Sequence, residues 1–475
     1  MKNRILVLLF LCFYYIADSQ TLITLSGQIN NAQSNEVKVM YINNFLEFKE
    51  VMAGASVLKE DGKFGMTLEW EKPGPALLTH GDLVYRIFLS PGDKITVTLD
   101  PKKFYETTQF EGNGSEVNNF LTKLDFKFHS GLAYEEYTNS FKDKKLEDFK
   151  LYIDKRKTDQ LQYFKKYYEG KKVTPSVENY VTSMILYSWA TDRINYLWMH
   201  TFYNNKNGFV KVDESYYGFL YEVEIQNEKA LSTYYYVTFL EAYFDDLSYT
   251  KLDKNLQKKQ EVSKEQYELL YDLINEKLKG SVKELMLAKL LYDGAKDGLG
   301  DQLKPKLEAF KTIYTNEDYL TLLKAKYEVS EKLKKGAPAP VFKFPDINGE
   351  TVSLEDFKGK VVYLKIWASW CAPCRSELPY ENKLAGNYFK GKDVVFLNVS
   401  VDTNADSWQQ LIYKEGALGV QLLAGNHFDS PIMQMYNANG IPHYVLIDKN
   451  GNIIENNTKS PSQGITKDIT KALGN

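Results

Sequence analysis

The rhythm of hydrophobic and polar positions changes twice along this chain. From residue 21 to about 110, apolar positions recur every second residue. Ile95, Val97 and Leu99 alternate with Thr96 and Thr98, and residues 37–42, 63–68 and 83–89 form similar runs. A period of two sends one set of side chains to a core and the other to water. Asp61-Gly62 and Pro91-Gly92 supply turn chemistry between runs. The pattern predicts a β-rich domain over residues 20–110, folded as a small antiparallel sandwich or barrel.

From about 115 to 335 the period lengthens to that of a helix. Tyr267, Leu270, Tyr271, Ile274 and Leu278 share one helical face, and Ser263 with Gln266 three places on offers a capping box. Gly280 is expected to end that helix, and Ser281 with Glu284 to open the next. Residues 181–200 form another helical stretch, apolar on most sides. Residues 111–335 therefore form an α-helical region without a repeat of fixed length. His129 and His200 lie there with no partner at metal-ligand spacing, so both are expected to be structural.

A charged stretch at 331–335 and then Gly336-Ala337-Pro338-Ala339-Pro340 mark a boundary. Beyond it, residues 361–367 and 394–401 are continuous apolar runs, as expected of strands covered on both faces. Helical segments separate them. A short strand at 444–447, a turn at Asn450-Gly451 and a last helix near 462–473 complete an α/β domain over 336–475.

A length of 475 residues agrees with about three domains. The formal charge of −3 gives no basic excess to neutralise phosphates, which argues against a nucleic-acid partner. The 35 Tyr and 26 Phe are assigned to helix packing, where Tyr buries a ring while its hydroxyl stays wet. At the start, Lys2 and Arg4, the apolar run 5–16 and Ala17-Asp18-Ser19 spell a cleavable secretory signal over residues 1–19. The run falls short of the roughly 20 apolar residues that span a bilayer. Leu11 before Cys12 argues against a lipid anchor there. The expected location is the periplasm or cell envelope, with membrane association left open.

Removing the signal takes Cys12 with it and leaves Cys371 and Cys374 alone. Exported proteins normally place cysteines in structural bridges; here one pair stands two residues apart. Trp370-Cys371-Ala372-Pro373-Cys374 follows a buried strand and opens a helix. Backbone N–H groups and the helix dipole stabilise a thiolate at such a place. A spacing of three puts both sulfurs on one side of the helix, within bridging reach. Cys371 is expected to attack a partner disulfide and Cys374 to resolve the mixed disulfide. Half a zinc knuckle shares this spacing, but zinc takes four ligands. Only His427 and His443 could complete the set, so no metal is expected. A purely structural bridge closing so small a loop removes little chain entropy.

Residues 336–475 resemble the thioredoxin-like family of periplasmic and extracytoplasmic thiol–disulfide oxidoreductases (TlpA/ResA-like), which includes cytochrome c maturation reductases. The resemblance is carried by Gly336-Ala337-Pro338-Ala339-Pro340, residues 349–354 before Gly359-Lys360, and the run from Trp367 through the cysteines to Pro379. Gly440-Ile441-Pro442 and Leu446-Ile447-Asp448 complete it. The preceding regions resemble, more loosely, N-terminal extensions of such proteins in Bacteroidetes. The resemblance implies a thioredoxin-like fold, no cofactor beyond the cysteine pair, disulfide-containing secreted or envelope proteins as partners, and a membrane electron donor. Trp370 and Pro373 belong to its active-site motif. Pro442 matches the family's cis-proline beside the pair, and Glu377 an acidic residue kept near it.

Lys365 departs from the pattern, since thioredoxins carry a buried acid at this strand position and the reductases often Asn. A lysine there has three expected behaviours. Charged, it attracts a thiolate; neutral, it accepts the Cys374 proton; or its stem is buried and its ammonium snorkels to water. The expected activity is disulfide reduction. Two alternatives compete with it. A thiol peroxidase conflicts with Ala368, three residues before Cys371, where peroxiredoxins place Thr or Ser. The other is a surface-binding protein that keeps the thioredoxin-like domain as scaffold.

Overall fold

The computed structural model describes residues 21–204, 208–251, 264–438 and 440–474. The expected signal at 1–19, Cys12 and the Ser263 cap lie outside them. The chain divides into two units, one drawn from 1–253 with 273–283 and the other from 254–272 with 284–475.

In the first unit, β1 (Leu22–Ile29), β4 (Lys63–Glu69), β7 (Lys94–Leu99) and β8 (Gln109–Asn113) form one sheet in the order β4-β1-β7-β8. β2 (Glu36–Ile42), β3 (Glu50–Val57), β5 (Gly74–His80) and β6 (Leu83–Leu89) form another, ordered β3-β2-β5-β6. Ile23, Leu25 and Val97 of the first sheet share a core with Val39, Leu78 and Ile87 of the second. The fold is thus a sandwich rather than a barrel. Along β4 and β7, buried and exposed positions alternate strictly. β1 and β7 run parallel, and a Cβ on Gly27 would meet the Val97 carbonyl oxygen at 2.1 Å, so only glycine permits that approach.

Helices α1 (Ser115–Phe128), α2 (Gly131–Asp143), α3 (Leu146–Tyr167), α4 (Pro175–Tyr203) and α5 (Tyr234–Lys251) complete this unit's described core. Thr174 caps α4 by accepting from the Val177 amide, with Pro175 at the position where a missing N–H costs nothing. The tyrosines pack between helices: Phe149 stacks on Tyr196 at 4.2 Å, and Phe120 sits among Tyr163, Tyr167 and Tyr168. His129 Nδ1 bonds Asp125 at 3.0 Å and His200 Nδ1 bonds the Phe141 carbonyl at 3.0 Å.

The next helices are α6 (Lys264–Lys277) and α7 (Gly280–Lys296), on which the two units divide. Gly280, expected to end a helix, is the first residue of α7, with φ +53°. Ser281 lies inside α7 rather than before it. α8 (Gly300–Ile313) and α9 (Glu317–Lys332) belong to the second unit. Leu333, just ahead of the expected boundary at 336, is 5% exposed and buried in the same core as Val362 and Leu364.

That core flanks a five-stranded sheet. β11 (Val361–Trp367) lies between parallel β12 (Val394–Ser400) and antiparallel β14 (His443–Ile447); β13 (Val420–Leu423) and β15 (Ile453–Asn456) form the edges. A small hairpin of β9 (Lys343–Pro345) and β10 (Thr351–Ser353) precedes it. Val362, Leu364 and Ile366 face one apolar layer, while Val361 and Tyr363 face the other. All seven positions of β11 are therefore buried.

Candidate active site

The cysteine pair stands where β11 gives way to a helix. After Trp367 the chain turns through Ala368, Ser369 and Trp370 before α10 (Ala372–Ser376) begins. Asp402, 2% exposed just past β12, fixes this turn: its carboxylate accepts from the Ser369 amide at 2.8 Å and from the Ser369 hydroxyl at 2.7 Å. The Ser400 hydroxyl donates to the same carboxylate at 2.6 Å. Sequence reading passed over Asp402, although an acid directly after the C-terminal end of a buried parallel strand is a positional signal.

Cys371 is the N-cap of α10, and its sulfur accepts from the Cys374 amide at 3.1 Å. The two cysteines form a disulfide, with Cα atoms 5.3 Å apart. Cys371 is 5% exposed and Cys374 fully buried, so of the pair only the first residue reaches the surface. Pro373 is exposed in the first turn. The Ile441–Pro442 bond is cis, and the Ile441 carbonyl oxygen lies 3.6 Å from Cys371 Sγ.

Trp370 is 46% exposed and stacks on His427 at 4.6 Å, with the ring planes 14° apart. Phe428, also 46% exposed, meets Trp370 edge-on at 5.7 Å. Asn426 and His427 adopt positive φ in succession, at +64° and +53°, a conformation that non-glycine residues rarely hold. The turn is tied to β12 by the His427 amide, which donates to the Val401 carbonyl at 2.9 Å. His427 is thus engaged by Trp370. His443 sits buried at the head of β14, its Nε2 3.5 Å from Asn456 Oδ1, and burial pushes its pKa down to about 4. Among the described residues no group of His, Cys, Asp and Glu is arranged to hold a metal.

Lys365 does not snorkel. Its side chain is 1% exposed, and Nζ lies 2.5 Å from Oε2 of Glu381, itself 2% exposed. The reason is positional: both faces of β11 are covered, so no route to water exists. The ammonium also lies 4.9 Å from the Trp367 ring centre, toward the cysteine end of the strand. Glu381 belongs to α11 (Leu378–Lys383), seven residues after Cys374. A spacing of seven returns to the same helical face, and that periodicity could have flagged it. Glu377 is turned elsewhere: its carboxylate accepts from the Ser462 amide at 2.9 Å and the Ser462 hydroxyl at 2.6 Å.

A family model described as Redoxin matches residues 334–473. The chain is 31% identical over 154 residues to the thiol-disulfide oxidoreductase ResA of Bacillus anthracis, a match spanning 32% of this chain and 87% of that protein. It is 28% identical over 155 residues to ResA of Bacillus subtilis (strain 168), covering 32% and 83%. Among solved structures, the thioredoxin domain of a thiol-disulfide oxidoreductase from Bacteroides vulgatus is 30% identical, over 30% of this chain and 99% of that one, with a TM-score of 0.28. The chain belongs to the TlpA/ResA-like family and is a thiol–disulfide oxidoreductase with a thioredoxin-like C-terminal domain.

Proposed function

We propose that this enzyme reduces disulfides of secreted or cell-envelope proteins, with Cys371 attacking and Cys374 resolving. The supporting observation is the unequal setting of the two sulfurs. Cys371 sits at the helix N-cap beside an exposed aromatic surface and a backbone carbonyl, whereas Cys374 is sealed. In the reduced enzyme the Cys371 thiolate would keep the Cys374 amide and the helix dipole as its stabilisers. It attacks one sulfur of the substrate disulfide; that S–S bond breaks, and the departing thiolate takes a proton from solvent. Cys374, deprotonated, then attacks Cys371 Sγ and expels the second substrate thiolate. Two electrons pass to the substrate, and the enzyme is left as the disulfide. A dithiol donor, proposed to be membrane-bound, restores it.

Trp370, Phe428 and the Ile441-Pro442 segment are proposed to receive the polypeptide around the target disulfide. Lys365 with Glu381 is assigned to tuning the strand end beneath the pair, and Glu377 to fixing the helix against the 462 loop. The leader at residues 1–19 is proposed to direct export. Insulin disulfide reduction should vanish in Cys371→Ser, while Cys374→Ser should accumulate mixed disulfides in the cell envelope. Reduction that survives in Cys371→Ser would overturn the assignment, as would faster alkylation of Cys374 than of Cys371 in the reduced native chain.

A further inference from the structure

The first unit holds a cavity of about 230 Å³ lined by three cationic side chains, Arg86 of β6 with Arg156 and Lys157 of α3. Its apolar wall comes from α4, through Met184, Ile185 and Trp189. Much of the charge is only partly answered from within. Lys157 is settled, with Glu222 at 2.6 Å and the Trp189 ring at 3.6 Å. Arg86 reaches Asp125 only at 3.4 Å, and its Nε is buried without a hydrogen-bond partner. Arg156 donates to the Phe128 carbonyl at 2.5 Å and lies 4.6 Å over the Tyr137 ring. No ion pair joins Arg156 to a carboxylate among the described residues.

A guanidinium carries five donors in a planar fork. Two such forks lining one cavity, one with a buried donor unused and the other in no close ion pair among the described residues, suit an anion that accepts in pairs. The one carboxyl on the wall, Asp192, accepts from the Tyr137 hydroxyl at 2.9 Å. Burial pushes Asp192 up to about 7 against the opposing pull of the Tyr137 hydrogen bond and the Arg156 charge, so it offsets that guanidinium only in part. Ligand pockets of drug-sized molecules run from roughly 300 Å³ upward, so the occupant is smaller than that.

We infer that this cavity binds a small organic monocarboxylate, its carboxylate held by Arg86 and Arg156 and its apolar body packed against Met184, Ile185 and Trp189. The guanidiniums supply the charge recognition and the α4 wall the preference for a hydrocarbon tail. The site is independent of the cysteine chemistry.

Calorimetric titration of the full chain with acetate, hexanoate and phenylacetate tests this, with phenylacetamide and inorganic phosphate as controls. Saturable one-to-one binding should strengthen from acetate to the larger acids, and the amide should bind about tenfold or more weakly. Arg156→Met should weaken phenylacetate by a similar factor, with Arg156→Lys between. Ser188→Phe, which fills the cavity from its wall, should abolish binding while leaving insulin reduction intact. Each variant is first checked for a native circular-dichroism melt, and the two substitutions stand on different helices, so one can fail to fold without costing the test. No saturable carboxylate binding, equal affinity for acid and amide, phosphate binding as tightly as phenylacetate, or unchanged affinity in Arg156→Met and Ser188→Phe would each overturn the inference.

Discussion

β2 of the sandwich and β11 of the thioredoxin-like sheet each carry a lysine in an ion pair, and the two lysines have little else in common. On β2, Glu36 and Lys38 alternate with Val37 and Val39, and their pair at 2.9 Å is 46% and 42% exposed. On β11 every position is buried, and the Lys365–Glu381 pair at 2.5 Å is almost wholly so. A two-sheet sandwich keeps one face of each strand wet, so a lysine fits by pointing outward. A central strand in a three-layer α/β fold has no wet face. A charge there must be answered from within, and α11 delivers the answer two turns beyond Cys374. The difference teaches that the meaning of a lysine in a strand depends on how many layers cover it.

The largest expected effect follows from breaking the buried pair. Glu381→Gln leaves an ammonium enclosed without its counter-charge, and such a loss costs about 3–5 kcal/mol. Removing both charges in Lys365→Met with Glu381→Leu should recover most of that, because an apolar pair of similar volume avoids desolvation. Urea denaturation of the three proteins measures this. A Glu381→Gln variant as stable as the parent would show that the pair does not hold the strand and helix together.

The comparison sharpens when pH is varied, because one buried group in each unit should respond with opposite sign. His443 in the second unit is buried neutral, its pKa lowered from 6.5 to about 4 by burial. Between those values the unfolded chain binds the proton and the folded one does not, so stability is complete above pH 6.5 and falls toward pH 4. A full shift corresponds to about 3 kcal/mol. Asp192 in the first unit is raised from 3.8 to about 7 by burial. There the folded chain binds the proton more readily, so stability is greatest below pH 3.8 and declines as pH rises through 7. The side chain is only half-buried, and solvent in the cavity reduces this to the order of 2 kcal/mol. His443→Gln should flatten the acid-side loss and Asp192→Asn the alkaline-side loss, each read as a stability difference from the parent across pH 4–8. Slopes of the same sign would break the contrast.

Much of the second unit was legible because its signals are local. The Cys371–Cys374 spacing, the uninterrupted run of β11 and the Ile441-Pro442 segment each need only a few consecutive residues. The alternation of β4 and β7 was legible for the same reason. β3 was not, because its residues are all partly exposed and no apolar period survives. Gly280 was misread as a stop because its positive φ suits a C-cap, yet here it opens α7. Asp402, His427 and Phe428 escaped because each acquires its role from Ser369 or Trp370, more than thirty residues away in the chain, which periodicity does not reveal; Glu381 carried a periodic signal, its spacing from Cys374, but its partner Lys365 lies on another element.

The domain boundary gives a smaller effect. Leu333 and the partly buried Val329 pack into the second unit's core from the N-terminal side of residue 336. Lys326 Nζ also donates to Asn437 Oδ1 at 2.9 Å. A fragment beginning at Gly336 loses these contacts, and burial of one leucine alone contributes about 1.5–3 kcal/mol. Against a fragment beginning at Glu317, its denaturation midpoint should be lower by a corresponding amount. Equal midpoints would place the boundary where the Pro-rich segment lies.

The smallest effect belongs to the exposed pair that opened the comparison. Lys38→Met removes a charge whose hydration in the folded state is nearly what it is in the unfolded chain, so little is lost. Exposed pairs of this kind contribute about 0–1 kcal/mol. Whatever remains should shrink at 1 M salt, where the Debye length falls to about 3 Å. Glu381→Gln should keep its full cost at the same salt concentration, since ions do not reach between β11 and α11. Measuring both variants at low and high salt therefore separates the two lysines by a criterion independent of absolute stability. A cost for Lys38→Met that matched Glu381→Gln and resisted salt would mean that the sandwich face is covered in solution, and that the number of layers over a strand does not decide what its lysine does.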